Sequence, residues 1–190
     1  MSTLKVTNLQ HPSSSSNNIT FNSDGTVTGI ADWIDGTSIS TNGSISYSFT
    51  GLPSNVREKV LTVENVSWST SNNLRFRLRT GNADFTSGVY HNRYTFLGGS
   101  SLTTGGGTGN TSFFIGGWGA TNHQVSGRVR FTNSSGNKWL LSAQFNTRGY
   151  NEGNLLTGDV DIGGTLDGVT MLVNSGTLDG GSFNIHYITS

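Results

Sequence analysis

The chain contains no cysteine and only two prolines. The first absence excludes thiolate chemistry, Cys-ligated zinc and a disulfide framework, and it suits assembly in a reducing cytoplasm. Charge is scarce too: 11 Lys and Arg face 11 Asp and Glu, 12% of the residues, for a net charge of +0. No field is available to gather nucleic acid or anionic lipid. No stretch approaches the ~20 apolar residues that a membrane-spanning helix requires. The good helix formers Ala, Glu, Lys and Gln are few, and 27 glycines in 190 residues interrupt every long window, which argues against a helical protein. No apolar signal-peptide core follows Met1, so a secreted lectin is disfavoured.

What is there is Ser, Thr, Asn and Gly around short apolar alternations. Apolar residues recur at period two in Ile45-Tyr47-Phe49, Leu61-Val63, Leu74-Phe76-Leu78, Val129-Phe131, Trp139-Leu141-Ala143, Val169-Met171-Val173 and Phe183-Ile185-Tyr187. That spacing puts alternate side chains on opposite faces of a half-buried sheet. Turn residues separate the runs: Ser23-Asp24-Gly25, Thr41-Asn42-Gly43, Ser134-Ser135-Gly136-Asn137 and Leu178-Asp179-Gly180-Gly181. About eight core strands at this spacing predict an all-β fold, a jelly-roll-like antiparallel sandwich over residues 31–190. The Gly-rich segment from Gly98 to Gly109 reads as a surface loop.

Residues 1–30 form a separate arm. Leu4, Val6 and Leu9, then Ile19 and Phe21, lie on either side of a polar link from His11 to Ser16. So little apolar surface does not fold alone. The arm is either disordered or ordered by pairing with another chain, and the second is expected because Ile19 and Phe21 otherwise have no use.

Catalytic chemistry finds little support. Asp159 and Asp161 share a strand face, and Asp32 and Asp35 flank Trp33-Ile34, but carboxylates so placed read as solvated groups or turn caps. His11, His91, His123 and His186 have no ligand spacing, and no serine sits in a nucleophile elbow. The expectation is a non-enzyme with neither metal nor cofactor, a calcium ion at Asp159 and Asp161 being the weighed alternative. Binding is the stronger theme. Arg75, Arg77 and Arg79 line one face of a strand, so they need an anionic ligand or carboxylates such as Glu58 or Glu64; Arg128 and Arg130 repeat the arrangement. Tyr90, Tyr94, Trp118 and Tyr150 lie beside Gly- and Asn-rich turns, where exposed rings can stack on sugars or pack against a partner, whereas Trp68 and Trp139 read as core.

The order of several short motifs resembles a module of phage tail and virion structural proteins, particularly those of cyanophages and other marine phages. The matching pieces are Phe49-Thr50-Gly51-Leu52-Pro53, Val66-Ser67, Leu74 to Leu78, Gly88-Val89-Tyr90, Ser135-Gly136-Asn137-Lys138-Trp139, Gly164-Thr165-Leu166-Asp167-Gly168-Val169 and Leu178-Asp179-Gly180-Gly181-Ser182-Phe183. Leu178 stands where that pattern has Phe. The leader Leu4 to Gln10 and Asn18 to Gly25 is similar to the start of such proteins. The resemblance implies a homotrimeric sandwich on a virion assembled in the host cytoplasm, attached to tail or capsid proteins through the arm. Two roles follow from it: a short tail fibre or tail-associated protein recognising host-surface polysaccharide, or a capsid decoration protein. A cellular carbohydrate-binding module is the more distant reading.

Overall fold

The structure, a computed structural model, describes residues 8–9, 19–21, 23, 27–28, 33–70, 73–87, 89–98, 101–115, 123–148 and 152–188. Among these residues every regular element is a strand: β1 (Asn8–Leu9), β2 (Ile19–Phe21), β3 (Val27–Thr28), β4 (Trp33–Asp35), β5 (Ile39–Ser40), β6 (Ser46–Thr50), β7 (Glu58–Trp68), β8 (Arg75–Thr80), β9 (Ala83–Asp84), β10 (Tyr90–Gly98), β11 (Ser101–Asn110), β12 (Phe113–Phe114), β13 (Gln124–Ser135), β14 (Lys138–Arg148), β15 (Glu152–Asp161), β16 (Gly168–Leu172) and β17 (Leu178–Ile188).

All pairings are antiparallel, and the fold is an all-β sandwich. The larger sheet has nine strands in the order β11-β10-β15-β14-β13-β7-β17-β4, with β5 also on β17; the smaller has five, in the order β12-β8-β16-β6, with β9 on β8. The chain passes repeatedly from one sheet to the other, as in a jelly roll. Both sheets turn their apolar alternation inward. Leu74 just before β8 and Phe76 and Leu78 within it are fully buried, as are Leu61 and Val63 of β7, Val129 and Phe131 of β13, and Phe183 and Ile185 of β17. Burying each such side chain contributes roughly 1.5–3 kcal/mol. Ring contacts knit the two layers: Phe76 stacks on Phe145 at 6.0 Å, and the edges of Phe49 on Phe183 and of Tyr90 on Phe113 meet at 5.0 and 4.8 Å. Trp68 and Trp139 are core residues, as their alternation predicts.

One expectation needs correction: the glycine-rich segment after Gly98 is no loop. From Ser101 to Asn110 it is β11, paired along its length with β10. A Cβ on Gly105 would meet the Tyr94 ring at 2.4 Å, and one on Gly98 the Phe96 ring at 2.7 Å. Gly105 leaves room for a ring from the neighbouring strand β10, and Gly98, the last residue of β10, for a ring two residues back on its own strand. β15 joins the large sheet with a blurred alternation: Asn154 faces inward and Leu155 outward. Within the single chain, the described part of the arm pairs with itself. β1, β2 and β3 form a three-stranded sheet in which Leu9 lies opposite Ile19 and Phe21 opposite Val27. Phe21 is 44% exposed. Leu4 and Val6 lie outside the described residues.

Candidate binding groove

The outer face of the larger sheet carries an extended hollow. Register alone builds it. His186 on β17 lies opposite Val60 on β7, which lies opposite Arg130 on β13, then Ser142 on β14 and Thr157 on β15. The adjacent row runs Asn184, Thr62, Arg128, Gln144 and Leu155. Neighbouring side chains in such rows stand about 5 Å apart. The resulting groove has a volume of 630 Å³ and is lined by Thr62, Arg128, Arg130, Ser142, Gln144, Thr157 and His186 together with the apolar Val60, Ala143, Leu155 and Leu156. Register shifts on either side of β7, near Val125/Gly127 of β13 and near Gly180/Ser182 of β17, mark bulges that bend the sheet beside it.

Two interactions fix the walls. Glu58 holds Arg130 at 3.0 Å. A chain of hydrogen bonds crosses three strands, from Asp35 Oδ1 to His186 Nδ1 at 2.5 Å and from His186 Nε2 to Thr62 Oγ1 at 3.1 Å. Carboxylate, imidazole and hydroxyl in that order are the parts of an activated nucleophile. Their setting is unsuited to acyl transfer. Thr62 sits mid-strand between β13 and β17, where ladder pairing uses the backbone N–H groups that would otherwise form an oxyanion hole. Its Oγ1 also lies 3.4 Å from the Asn184 carbonyl, a competing acceptor.

The residues singled out from sequence are distributed elsewhere. Arg75, Arg77 and Arg79 do share a face, on the outside of the smaller sheet, but their counter-charge is Asp84 and not Glu58 or Glu64. Asp84 lies 2.7 Å from Arg79 and 3.6 Å from Arg77, and it also accepts from the Thr170 hydroxyl at 2.6 Å. Arg75 donates to Ser112 Oγ at 3.0 Å and lies over the Phe114 ring at 5.3 Å. Burial, and secondarily Arg77, lowers its pKa. Only one carboxylate faces the three guanidiniums, but Arg77 also donates to the Thr111 carbonyl at 3.1 Å and Arg79 to the Asn82 carbonyl at 2.6 Å, so each is already hydrogen-bonded within the fold. Tyr90 was expected at the surface and is instead fully buried. Its hydroxyl accepts from Leu78 N and donates to Phe85 O, both at 3.0 Å, and burial raises its pKa. Tyr94 is half-buried, its ring 6.0 Å from Phe114. Trp118 and Tyr150 lie outside the described residues.

Sequence reasoning named Arg128 and Arg130 as an alternating pair but did not join them to Thr62, Ser142, Gln144, Thr157 and His186. The outward half of each period-two pattern holds these residues. Which strands are neighbours was the missing piece. Among the described residues no group of three or more His, Asp or Glu is placed to hold a metal ion. Asp159, considered as a calcium ligand, lies instead 3.8 Å from Lys138 and 3.5 Å from His91.

Fold and groove together define a class: an antiparallel β-sandwich presenting an open, cation-bearing hollow on its larger sheet, with aliphatic as well as hydroxyl and amide groups between the cations. No family model, curated protein or solved structure matches the chain.

Proposed function

We propose that this chain is a non-enzymatic structural protein of a phage surface, a short tail fibre or tail-associated protein that acts as a homotrimer and holds a host-surface polysaccharide in the groove of its larger sheet. The observation that carries the binding reading is the convergence of guanidinium, amide and hydroxyl groups from adjacent strands on one open hollow. A polyhydroxylated chain offers donors and acceptors in repeating register, and two rows of side chains on a pleated sheet can meet them along a line. The phage setting rests on the ordered motifs from Phe49 to Phe183. The arm of residues 1–30 would then serve for attachment.

The capsid-decoration role keeps one specific observation in its favour. β11 is an edge strand whose sequence, Ser101 to Asn110, has neither charge nor proline, and Leu97 and Leu102 beside it are 47% and 64% exposed. Unprotected edges pair readily with other chains.

Affinity electrophoresis through gels containing bacterial surface polysaccharide tests the binding reading: retardation is expected, and free migration in every gel overturns it. Light scattering of the full chain is expected to give three times its 20.2 kDa mass; a strict monomer refutes the trimer. The non-enzymatic reading predicts that p-nitrophenyl acetate is hydrolysed at the buffer rate, equally for wild type and Thr62→Val. A burst lost on that substitution would make the Asp35-His186-Thr62 chain catalytic.

A further inference from the structure

We infer that the polysaccharide this groove takes is acidic, and that Arg128 is the group that reads its charge. The inference rests on the polysaccharide reading above and adds the ligand's chemical class.

The lining contains two guanidiniums and an imidazole, and no carboxylate. Arg130 is already shared with Glu58 on the rim, and His186 with Asp35. Arg128 is different. It is exposed, and no carboxylate among the described residues lies within ion-pair distance of it. Glu64 lines the adjoining hollow with Arg128 but makes no ion pair with it. Arg128 stands directly between Thr62 and Gln144, in the middle of its row. A ligand lying along the groove therefore covers it and strips part of its water. Beneath a neutral sugar, that lost hydration would be only partly replaced; beneath a carboxylate or sulfate, a charge-assisted, bidentate contact replaces it.

A second observation points the same way. Stacking on aromatic faces is a principal source of affinity for neutral sugars. The outward positions of β7, β13, β14 and β15 are Glu58, Val60, Thr62, Glu64, Ser126, Arg128, Arg130, Thr132, Lys138, Leu140, Ser142, Gln144, Asn146, Arg148, Gly153, Leu155, Thr157, Asp159 and Asp161, without one ring among them. With no aromatic side chain outward on these four strands, charge and hydrogen bonds carry the affinity there. Arg93, exposed and opposite Thr157 on β10, extends the cationic line beyond the groove's end.

The test uses the full chain and defined probes: hyaluronate, alginate and polygalacturonate, each beside its carboxyl-reduced form, and dextran sulfate beside dextran. Binding is followed by biolayer interferometry for wild type, Arg128→Gln and Ser142→Trp, with matched melting temperatures showing that both exposed-site variants fold. At least one acidic probe is expected to bind about ten-fold or more tightly than its neutral counterpart, with affinity falling as salt is added. Arg128→Gln is expected to erase that preference, and Ser142→Trp, which fills the groove, to abolish binding. A preference confined to carboxylated chains assigns a sugar acid, and one confined to dextran sulfate assigns a sulfate ester. Equal binding of acidic and neutral chains, unaffected by Arg128→Gln but lost in Ser142→Trp, overturns the acidic ligand while sparing the polysaccharide reading. Binding that survives Ser142→Trp, or none to any probe, removes that reading as well.

Discussion

Gly158→Ala is expected to lower the melting temperature by roughly 10 °C, from a destabilisation of about 3 kcal/mol. Gly158 faces inward on β15, between Asn92 on β10 and Leu141 on β14. A Cβ there would lie 2.4 Å from the His91 carbonyl oxygen and 2.7 Å from the edge of the Phe113 ring. Neither can retreat. The carbonyl belongs to a strand paired on both sides, and Phe113 is fully buried against Tyr90. Gly153→Ala on the same strand is the control, because its Cβ would meet only the Phe145 carbonyl at 3.7 Å. That variant is expected to be neutral or more stable by about 0.5 kcal/mol. Thermal denaturation of the pair checks the packing; equal melting temperatures would mean that Phe113 does not sit against β15.

Lys59 produces the second large effect, through pH. Its side chain points into the sandwich from β7 and is 1% exposed. Its ammonium donates to the Val56 carbonyl at 3.2 Å and lies 4.6 Å over Trp139, with no carboxylate within ion-pair distance among the described residues. Burial lowers its pKa from 10.5 to about 8. The folded state therefore releases this proton before the unfolded chain does. Below pH 8 both states are charged and the folded protein bears the whole cost of the buried ammonium. Between about 8 and 10.5 the unfolded chain binds more protons, so stability rises with pH, by at most about 1.4 kcal/mol per pH unit. Tyr90 acts oppositely above about pH 10, where the unfolded phenol ionises and the buried one does not. The rise is thus expected between pH 8 and 10. Lys59→Met should flatten it. At pH 7 that variant should be more stable by about 2 kcal/mol, because removing the desolvation cost outweighs losing one hydrogen bond and the ring contact. Urea denaturation at stepped pH reads both effects; a wild-type curve that falls steadily from pH 8 would show that Lys59 stays charged in the fold.

Much of the architecture is written in single strands. Leu74-Phe76-Leu78 and Trp139-Leu141-Ala143 declare their buried faces by alternation alone, and that face is where the structure puts them. β11 is not legible this way, because what covers its Gly105 is the Tyr94 ring on another strand. Tyr90 misleads for a related reason. A ring after Gly88-Val89 has the local look of a loop residue, yet partners from β8 and β12 enclose it. The arginine ladder was half readable: Gly81-Asn82 turns β8 back on itself and sets Asp84 opposite Arg79, a local signal that could have displaced Glu58 and Glu64 as partners. The groove was not readable in that way. It depends on β17, β7 and β13 lying side by side, although β7 is far from both of its neighbours in sequence. Periodicity tells which side chains point outward and leaves open which of them meet.

The central claim is that recognition belongs to the outer face of the larger sheet and not to loop aromatics. A glycan array probed with Ser142→Trp and Trp118→Ala beside wild type tests it most directly. Loss of signal with Ser142→Trp and retention with Trp118→Ala is the predicted result. Retention with Ser142→Trp and loss with Trp118→Ala would contradict the account and return the binding site to the loops.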